Sequence, residues 1–254
     1  MATERRDRDP DGRSNEVRSD GDRYEAHLER SRRVWDRWSD RYKMSERDFE
    51  PIRMAAIDRL ALEPGDRVLE IGCGPGVNFE RVRSEVGDEG EVIAVDYSPE
   101  MVEKARERIG HYDWENVEVR CADAATVAFD EPFDAALATL SMSVMPDAER
   151  TAANVYRSLA PGSRFLAFDI GPFQTGPARL ANPLVRRFLR WYANWNPDDD
   201  VVDSLSTVFD DCAVVERYAA GAGYTVLCEK EPLSTTASRR RDRTSNTSES
   251  RSDE

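Results

Sequence analysis

The chain has 254 residues, with 36 Lys or Arg against 50 Asp or Glu, a formal net charge of −14, and 39% hydrophobic residues. That balance excludes the basic footprint of a general nucleic-acid binder yet leaves enough apolar residues for one sizeable core. No stretch approaches the ~20 apolar residues of a membrane span, and the N-terminal MATERRDRDPDGRSNE lacks the apolar run of a secretory signal, so a cytoplasmic protein is the expectation.

Residues 1–25 mix Arg, Asp, Gly and Ser without period, and residues 234–254 are polar and low in complexity. Neither segment offers enough apolar surface to offset ordering, so both read as disordered tails around one domain, 26–233. Within it, Val34–Met44 reads as a helix from the spacing of Val34, Trp35, Trp38 and Tyr42. A second helix runs from about Phe49 to Leu62, opened by Pro51. RVLEIG (67–72) is a buried strand, Gly76–Val86 a helix, and EVIAVD (91–96) a second strand. Ser98-Pro99 opens a helix that Gly110 is expected to close. VEVRCAD (117–123) and FDAALATL (133–140) are the third and fourth strands. Asp147 caps a helix to Leu159, Pro161-Gly162 turn the chain, and SRFLAFDI (163–170) is the fifth strand. Residues 171–209 break the rhythm and read as an inserted lid or substrate segment. CAVVERYAA (212–220) and GYTVLCEK (223–230) then form a closing antiparallel hairpin. The expected fold is α/β: a doubly wound, mostly parallel, seven-stranded Rossmann-like sheet with a C-terminal antiparallel hairpin and an N-terminal helical cap.

Cys73, Cys121, Cys212 and Cys228 form no CxxC pair, and the chain has two histidines, so no zinc constellation is expected and the cysteines read as reduced, mostly buried thiols. The only lysines are Lys43, Lys104 and Lys230. An acidic, Arg-for-Lys composition resembles that of proteins from salt-loving archaea, where carboxylates keep the surface soluble.

The chemistry concentrates where strands end. The first strand runs through Glu70 into Gly72, Gly74 and Gly76, and glycines there allow positive φ and close approach of a ligand to the backbone. The spacing is G-x-G-x-G, not the G-x-G-x-x-G of a dinucleotide site. Glu70 is expected to point a carboxylate into the pocket, which suits an ammonium group better than a pyrophosphate. Asp96 ends the second strand, where an acid accepts ribose hydroxyls, and Asp123 ends the third, where an acid accepts from an adenine amino group.

Glu70-x-Gly72-x-Gly74-x-Gly76, Val95-Asp96-Tyr97-Ser98 with Met101, Ala122-Asp123-Ala124, Phe133-Asp134 and Leu159-Ala160-Pro161-Gly162 together resemble the class I S-adenosylmethionine-dependent methyltransferases, over about residues 34–231. The resemblance implies S-adenosyl-L-methionine as cofactor. It implies that Glu70 and the Gly72–Gly76 loop contact the methionine portion and that Asp96 holds the ribose. Tyr97 and Met101 would flank the adenine, Asp123 and the Ala124 backbone would bond its edge, and Leu140 and Ser141 would lie beside the sulfonium. Leu-Ala-Pro-Gly-Ser departs from relatives, which more often carry a second glycine. WDRWSDRYK is similar to the aromatic helix covering the cofactor in quinone C-methyltransferases and phospholipid N-methyltransferases. Tyr42 is then the candidate lid residue, the alternative being that Trp38 and Tyr42 are simply a buried helix face.

The implied reaction is direct displacement onto a small or lipophilic acceptor, a quinone precursor or a phospholipid-like molecule, with nucleic acid not expected as partner. Asp169, ending the fifth strand, is a candidate general base or polar anchor, or an ordinary strand-end acid. Residues 184–195 place Leu184, Phe188, Trp191 and Trp195 on one helical face and Arg186, Arg187 and Arg190 on the other. Such a helix rests on a membrane surface, covers a lipophilic substrate, or packs on its own core with its arginines solvated. The competing readings are a nicotinamide-dependent oxidoreductase on the same fold and a cofactor-binding module without activity.

Overall fold

A computed structural model describes residues 19–39 and 48–232. The expected C-terminal tail and the candidate lid residue Tyr42 lie outside the described residues.

The elements in chain order are α1 (Asp20–Trp38), α2 (Glu50–Asp58), β1 (Arg67–Ile71), α3 (Phe79–Val86), β2 (Glu91–Asp96), α4 (Pro99–Tyr112), β3 (Val117–Cys121), β4 (Phe133–Thr139), α5 (Ala148–Ser158), β5 (Leu159–Ile170), α6 (Asn182–Ala193), α7 (Val201–Val208), β6 (Asp211–Tyr218) and β7 (Gly223–Glu229). One seven-stranded sheet has the order β3-β2-β1-β4-β5-β7-β6, parallel as far as β5 and antiparallel at β7 and β6. The strand order reverses between β1 and β4, so their carboxyl ends open a crevice.

Alternation along the strands divides the core in two. Leu69, Ile71, Ile93, Val95 and Phe165 pack with α5 and α7 on one face. Val68, Val92, Leu137, Leu166 and Phe168 pack with α2, α3 and α4 on the other.

Several boundaries differ from the sequence reading, each for a local reason. Helix α1 begins at Asp20, inside the expected tail, because Ser19 and Asp22 close a reciprocal capping box. Helix α3 begins only at Phe79, since Gly76 sits at φ 75°. Gly110 does not end α4; Asp113 does so, in the left-handed region at φ 55°, which a short polar side chain tolerates. Pro161-Gly162 fall within the extended run of β5.

The largest correction concerns the cysteines. Cys212 and Cys228 form a disulfide, directly opposed in the β6–β7 register, while Cys73 is a buried free thiol and Cys121 an exposed one. The two bridged cysteines stand almost equally far from the Gly221 turn. The β6–β7 register places them opposite each other.

Candidate functional site

The crevice is a cleft of about 710 Å³, its mouth included. Its floor comes from strand ends: Gly72 and Gly74 after β1, Asp96 and Tyr97 after β2, Ala122, Asp123 and Ala124 after β3, and Thr139, Leu140 and Ser141 after β4. Met101 reaches it from α4, and Leu28, Ser31 and Trp35 roof it from α1. Nine of the eleven residues expected to hold the cofactor thus line one cavity. Glu70 and Gly76 do not.

The loop geometry explains its glycines. Gly72, Gly74 and Gly76 all have positive φ, at 63°, 54° and 75°. A Cβ on Gly72 would lie 2.4 Å from the Ser141 Cβ, and one on Gly76 would lie 2.3 Å from the Phe79 ring. Above Gly74 a Cβ would meet nothing within 4 Å, so this backbone is open to a ligand. The Gly72 and Cys73 amides both donate to the Val95 carbonyl, fixing the loop to β2.

Asp96 holds the other side of that loop. Its Oδ2 accepts from the Gly74 amide and its Oδ1 from the Ser98 amide, both at 2.8 Å. Burial pushes its pKa up to about 6, against the opposing effect of those two amides. Each carboxylate oxygen keeps a lone pair for a further donor. Asp123 accepts from the Ala125 amide at 2.9 Å and from the Tyr24 hydroxyl at 2.7 Å. Burial and the Asp123 carboxylate together push the Tyr24 pKa upward.

Glu70 departs from its expected place. It shares the Val68 side of β1 and therefore points under α2 and α3, where it is 1% exposed. Its Oε1 accepts from Asn78 Nδ2 at 2.8 Å, and the same amide donates to the cleft residue Thr139 at 2.9 Å. Oε2 has no hydrogen-bond partner, nor has Asn78 Oδ1. Burial raises the Glu70 pKa to about 7, in spite of the Asn78 hydrogen bond and the nearby Arg53 charge. Because the folded value exceeds the ordinary one, the folded state binds more protons between about pH 4.5 and 7. Stability is therefore lost as pH rises through that window. Asp96 and Asp169, each raised to about 6, act in the same sense. Glu70→Gln is expected to stabilise the protein at pH 8 by about 3 kcal/mol and to flatten its melting temperature between pH 5.5 and 8. A pH profile parallel to that of the unmodified protein in thermal melts would contradict this.

Asp169 lies outside the cleft lining. Its Oδ2 accepts from the Ser143 amide and its Oδ1 from the Ser143 hydroxyl and the Ile170 amide, at 2.6–2.9 Å. With these three donors it anchors the short turn 142–144 behind the cleft wall. Ser141 donates its hydroxyl to the Ile71 carbonyl at 2.9 Å, and Leu140, at φ 57°, turns the chain sharply out of β4.

Sequence reasoning missed the first half of the roof. Helix α1 crosses the cleft on polar pins. His27 Nε2 and Ser31 Oγ lie 3.0 and 3.2 Å from the Val144 carbonyl. Asp36 accepts from Ser98 at 2.6 Å, and Asn194 donates to Ser31 at 2.8 Å. Burial lowers the His27 pKa, which suits a neutral ring donating to that carbonyl. The capping box at Ser19 was the available signal for this helix.

Comparison with known proteins agrees with this geometry. Residues 68–162 match the family model of a methyltransferase domain. The chain is 36% identical to arsenite methyltransferase of Halobacterium salinarum over 118 residues, covering 46% of this chain and 30% of that protein. It spans less than a third of that relative. It is 30% identical to aklanonic acid methyltransferase of a Streptomyces species over 186 residues, covering 70% of this chain and 84% of that protein. Its fold is also that of a Haemonchus contortus phosphoethanolamine N-methyltransferase solved with phosphomonomethylethanolamine and S-adenosylhomocysteine, at TM-score 0.59 and 16% identity, covering 85% of this chain and 61% of that one. The glycine loop, the acids at the ends of β2 and β3, the reversed last strand β7 and these similarities converge: the chain belongs to the class I S-adenosylmethionine-dependent methyltransferases.

Proposed function

We propose that this methyltransferase transfers its methyl group to a lipophilic acceptor, of the quinone-precursor or phospholipid type, by direct displacement. The observation that carries the reading is the character of the cleft. Beyond the strand-end acids, its walls include the apolar Leu28, Trp35, Leu140, Val144, Met145 and Pro146, beside the hydroxyls of Ser31, Thr139 and Ser141. Such a wall receives an apolar body and excludes water.

S-Adenosylmethionine supplies an electrophilic methyl on a sulfonium, so the protein's task is alignment and desolvation. The cavity fits that cofactor: open backbone above Gly74, two carboxylates on one side and a water-poor wall on the other. Asp96 would accept the ribose hydroxyls, and Asp123 with the Ala124 backbone would meet the adenine edge between Tyr97 and Met101. Leu140 and Ser141 would flank the sulfonium. Glu70 would act on the methionine portion through the Asn78 amide and Thr139 rather than directly. Among the described residues lining the cleft, the titratable ones are Asp96, Tyr97 and Asp123. We also read the acidic, lysine-poor surface as an adaptation to molar salt in a cytoplasmic protein.

The test is transfer of labelled methyl from S-adenosylmethionine into a lipid extract, with a water-soluble extract alongside. The expected label partitions into the organic phase. Label confined to water-soluble products would overturn the lipophilic reading.

A further inference from the structure

Helix α6 has its apolar side turned outward. Leu180, just before it, is 87% exposed, and Leu184, Phe188 and Trp191 on the helix are 74%, 53% and 71% exposed. The spacing of four, four and three residues makes them one stripe. The opposite side holds the helix to the protein. Leu189 is buried, the Tyr192 ring lies 5.0 Å from that of Trp38, and Asn194 bonds Ser31 in the roof of the cleft. Of the three alternatives the sequence left open, packing of the apolar face on the protein's own core is excluded by this exposure. Trp195 lies beyond the helix end and does not join the stripe.

Charge points to what covers the stripe. From residue 170 to residue 197 the chain has four arginines, Arg179, Arg186, Arg187 and Arg190, and no Asp or Glu, in a protein whose net charge is −14. The three arginines on α6 are exposed; Arg187 borders the stripe, and Arg190 and Arg186 stand farther round the helix. Guanidinium groups pair with phosphate in a bidentate way, and tryptophan and phenylalanine favour the interface between headgroups and acyl chains. A second copy seated on the same face would set arginines against arginines. The net charge of the protein is negative, so an anionic surface attracts it only through a basic patch, and this acid-free segment supplies one.

We propose that α6 docks the protein on an anionic lipid bilayer, with Leu180, Leu184, Phe188 and Trp191 in the interface and Arg186, Arg187 and Arg190 on lipid phosphates. The docked helix packs through its other side on the roof of the cleft, which sets the cleft beside the bilayer from which a dissolved acceptor would come. This use in catalysis rests on the lipophilic-acceptor reading; the docking itself is measured apart from it.

The experiment is flotation of the full chain with vesicles of mixed phosphatidylglycerol and phosphatidylcholine, or of phosphatidylcholine alone. It is run at about 0.1 M and at molar KCl, with S-adenosylmethionine binding measured on the same samples. At the lower salt, binding to the anionic vesicles is expected at least ~10-fold tighter than to neutral ones; at molar KCl the preference is expected to shrink while binding through the apolar stripe persists, and loss of all binding there would overturn docking at the salt the surface suits. Phe188→Ser combined with Trp191→Ser is expected to lower it ~100-fold while cofactor binding is kept. Arg186→Gln, Arg187→Gln and Arg190→Gln together are expected to remove the preference for anionic lipid. Cofactor-competent protein that does not float with anionic vesicles, or that floats equally well with both aromatic residues replaced, would overturn the proposal. So would a dimer, dissolved by the same double substitution, in place of vesicle binding. Vesicle binding without a lipophilic product would uphold docking and discard the acceptor reading.

Discussion

Asp96→Ala is expected to weaken S-adenosylmethionine binding by about 100-fold or more, measured by calorimetry with the fold checked by circular dichroism. Two effects combine. A hydrogen bond to a charged group contributes roughly 1.5–3 kcal/mol, and two ribose hydroxyls are each expected to donate one. The same carboxylate also accepts from the Gly74 and Ser98 amides, so its removal loosens the glycine loop. Asp96→Asn keeps the shape but loses the charge and one acceptor, and should fall between. Because burial holds the Asp96 pKa near 6, affinity should decline as pH drops below that value, where the charged acceptor is lost. An alanine variant that binds within threefold of the unmodified protein would remove Asp96 from the ribose.

Gly72→Ala should act on the fold before it acts on the ligand. Its Cβ would stand 2.4 Å from the Ser141 Cβ and 2.9 Å from its Oγ, closer than atoms pack. Relief means moving Ser141, whose hydroxyl holds the Ile71 carbonyl. Overpacking of this kind costs about 1–3 kcal/mol, and positive φ adds about 1 kcal/mol for a residue with a Cβ. A loss near 3 kcal/mol is expected in denaturant titrations. Ser141→Gly in the same chain should recover the steric part and leave the conformational part. If the second substitution recovers nothing, the contact is not the cause. Gly74→Ala makes the contrast: with open space around it, it should lose only about 1 kcal/mol of stability yet intrude on the ligand.

The cofactor side of this protein was legible because chain order alone places it. Residues that end consecutive parallel strands must meet at one sheet edge, and Asp96, Asp123, Leu140 and Ser141 do. Glu70 was misread although the same alternation applied to it. As the side-mate of Val68 it enters the layer beneath α2 and α3. The disulfide needed a register, not a spacing. The direction of α6 was not legible at all. Amphipathicity states that a helix has two unlike faces, and only its neighbours, Trp38 and the Asn194–Ser31 contact, decide which one is covered.

The roof of the cleft has a kinetic consequence. Among the described residues of α1, the helix fully buries one side chain, Ser31, and is held by the hydrogen bonds of Tyr24, His27, Ser31 and Asp36, the Asn194 bonds to His27 and Ser31, and the Trp38–Tyr192 ring contact. An element fixed this way separates from its support without exposing a core, so its opening free energy lies well below that of global unfolding. Amide exchange along Asp20–Trp38 is therefore expected to run faster than in β1 and β4, and a cofactor bound in the cleft is expected to exchange through the opened roof.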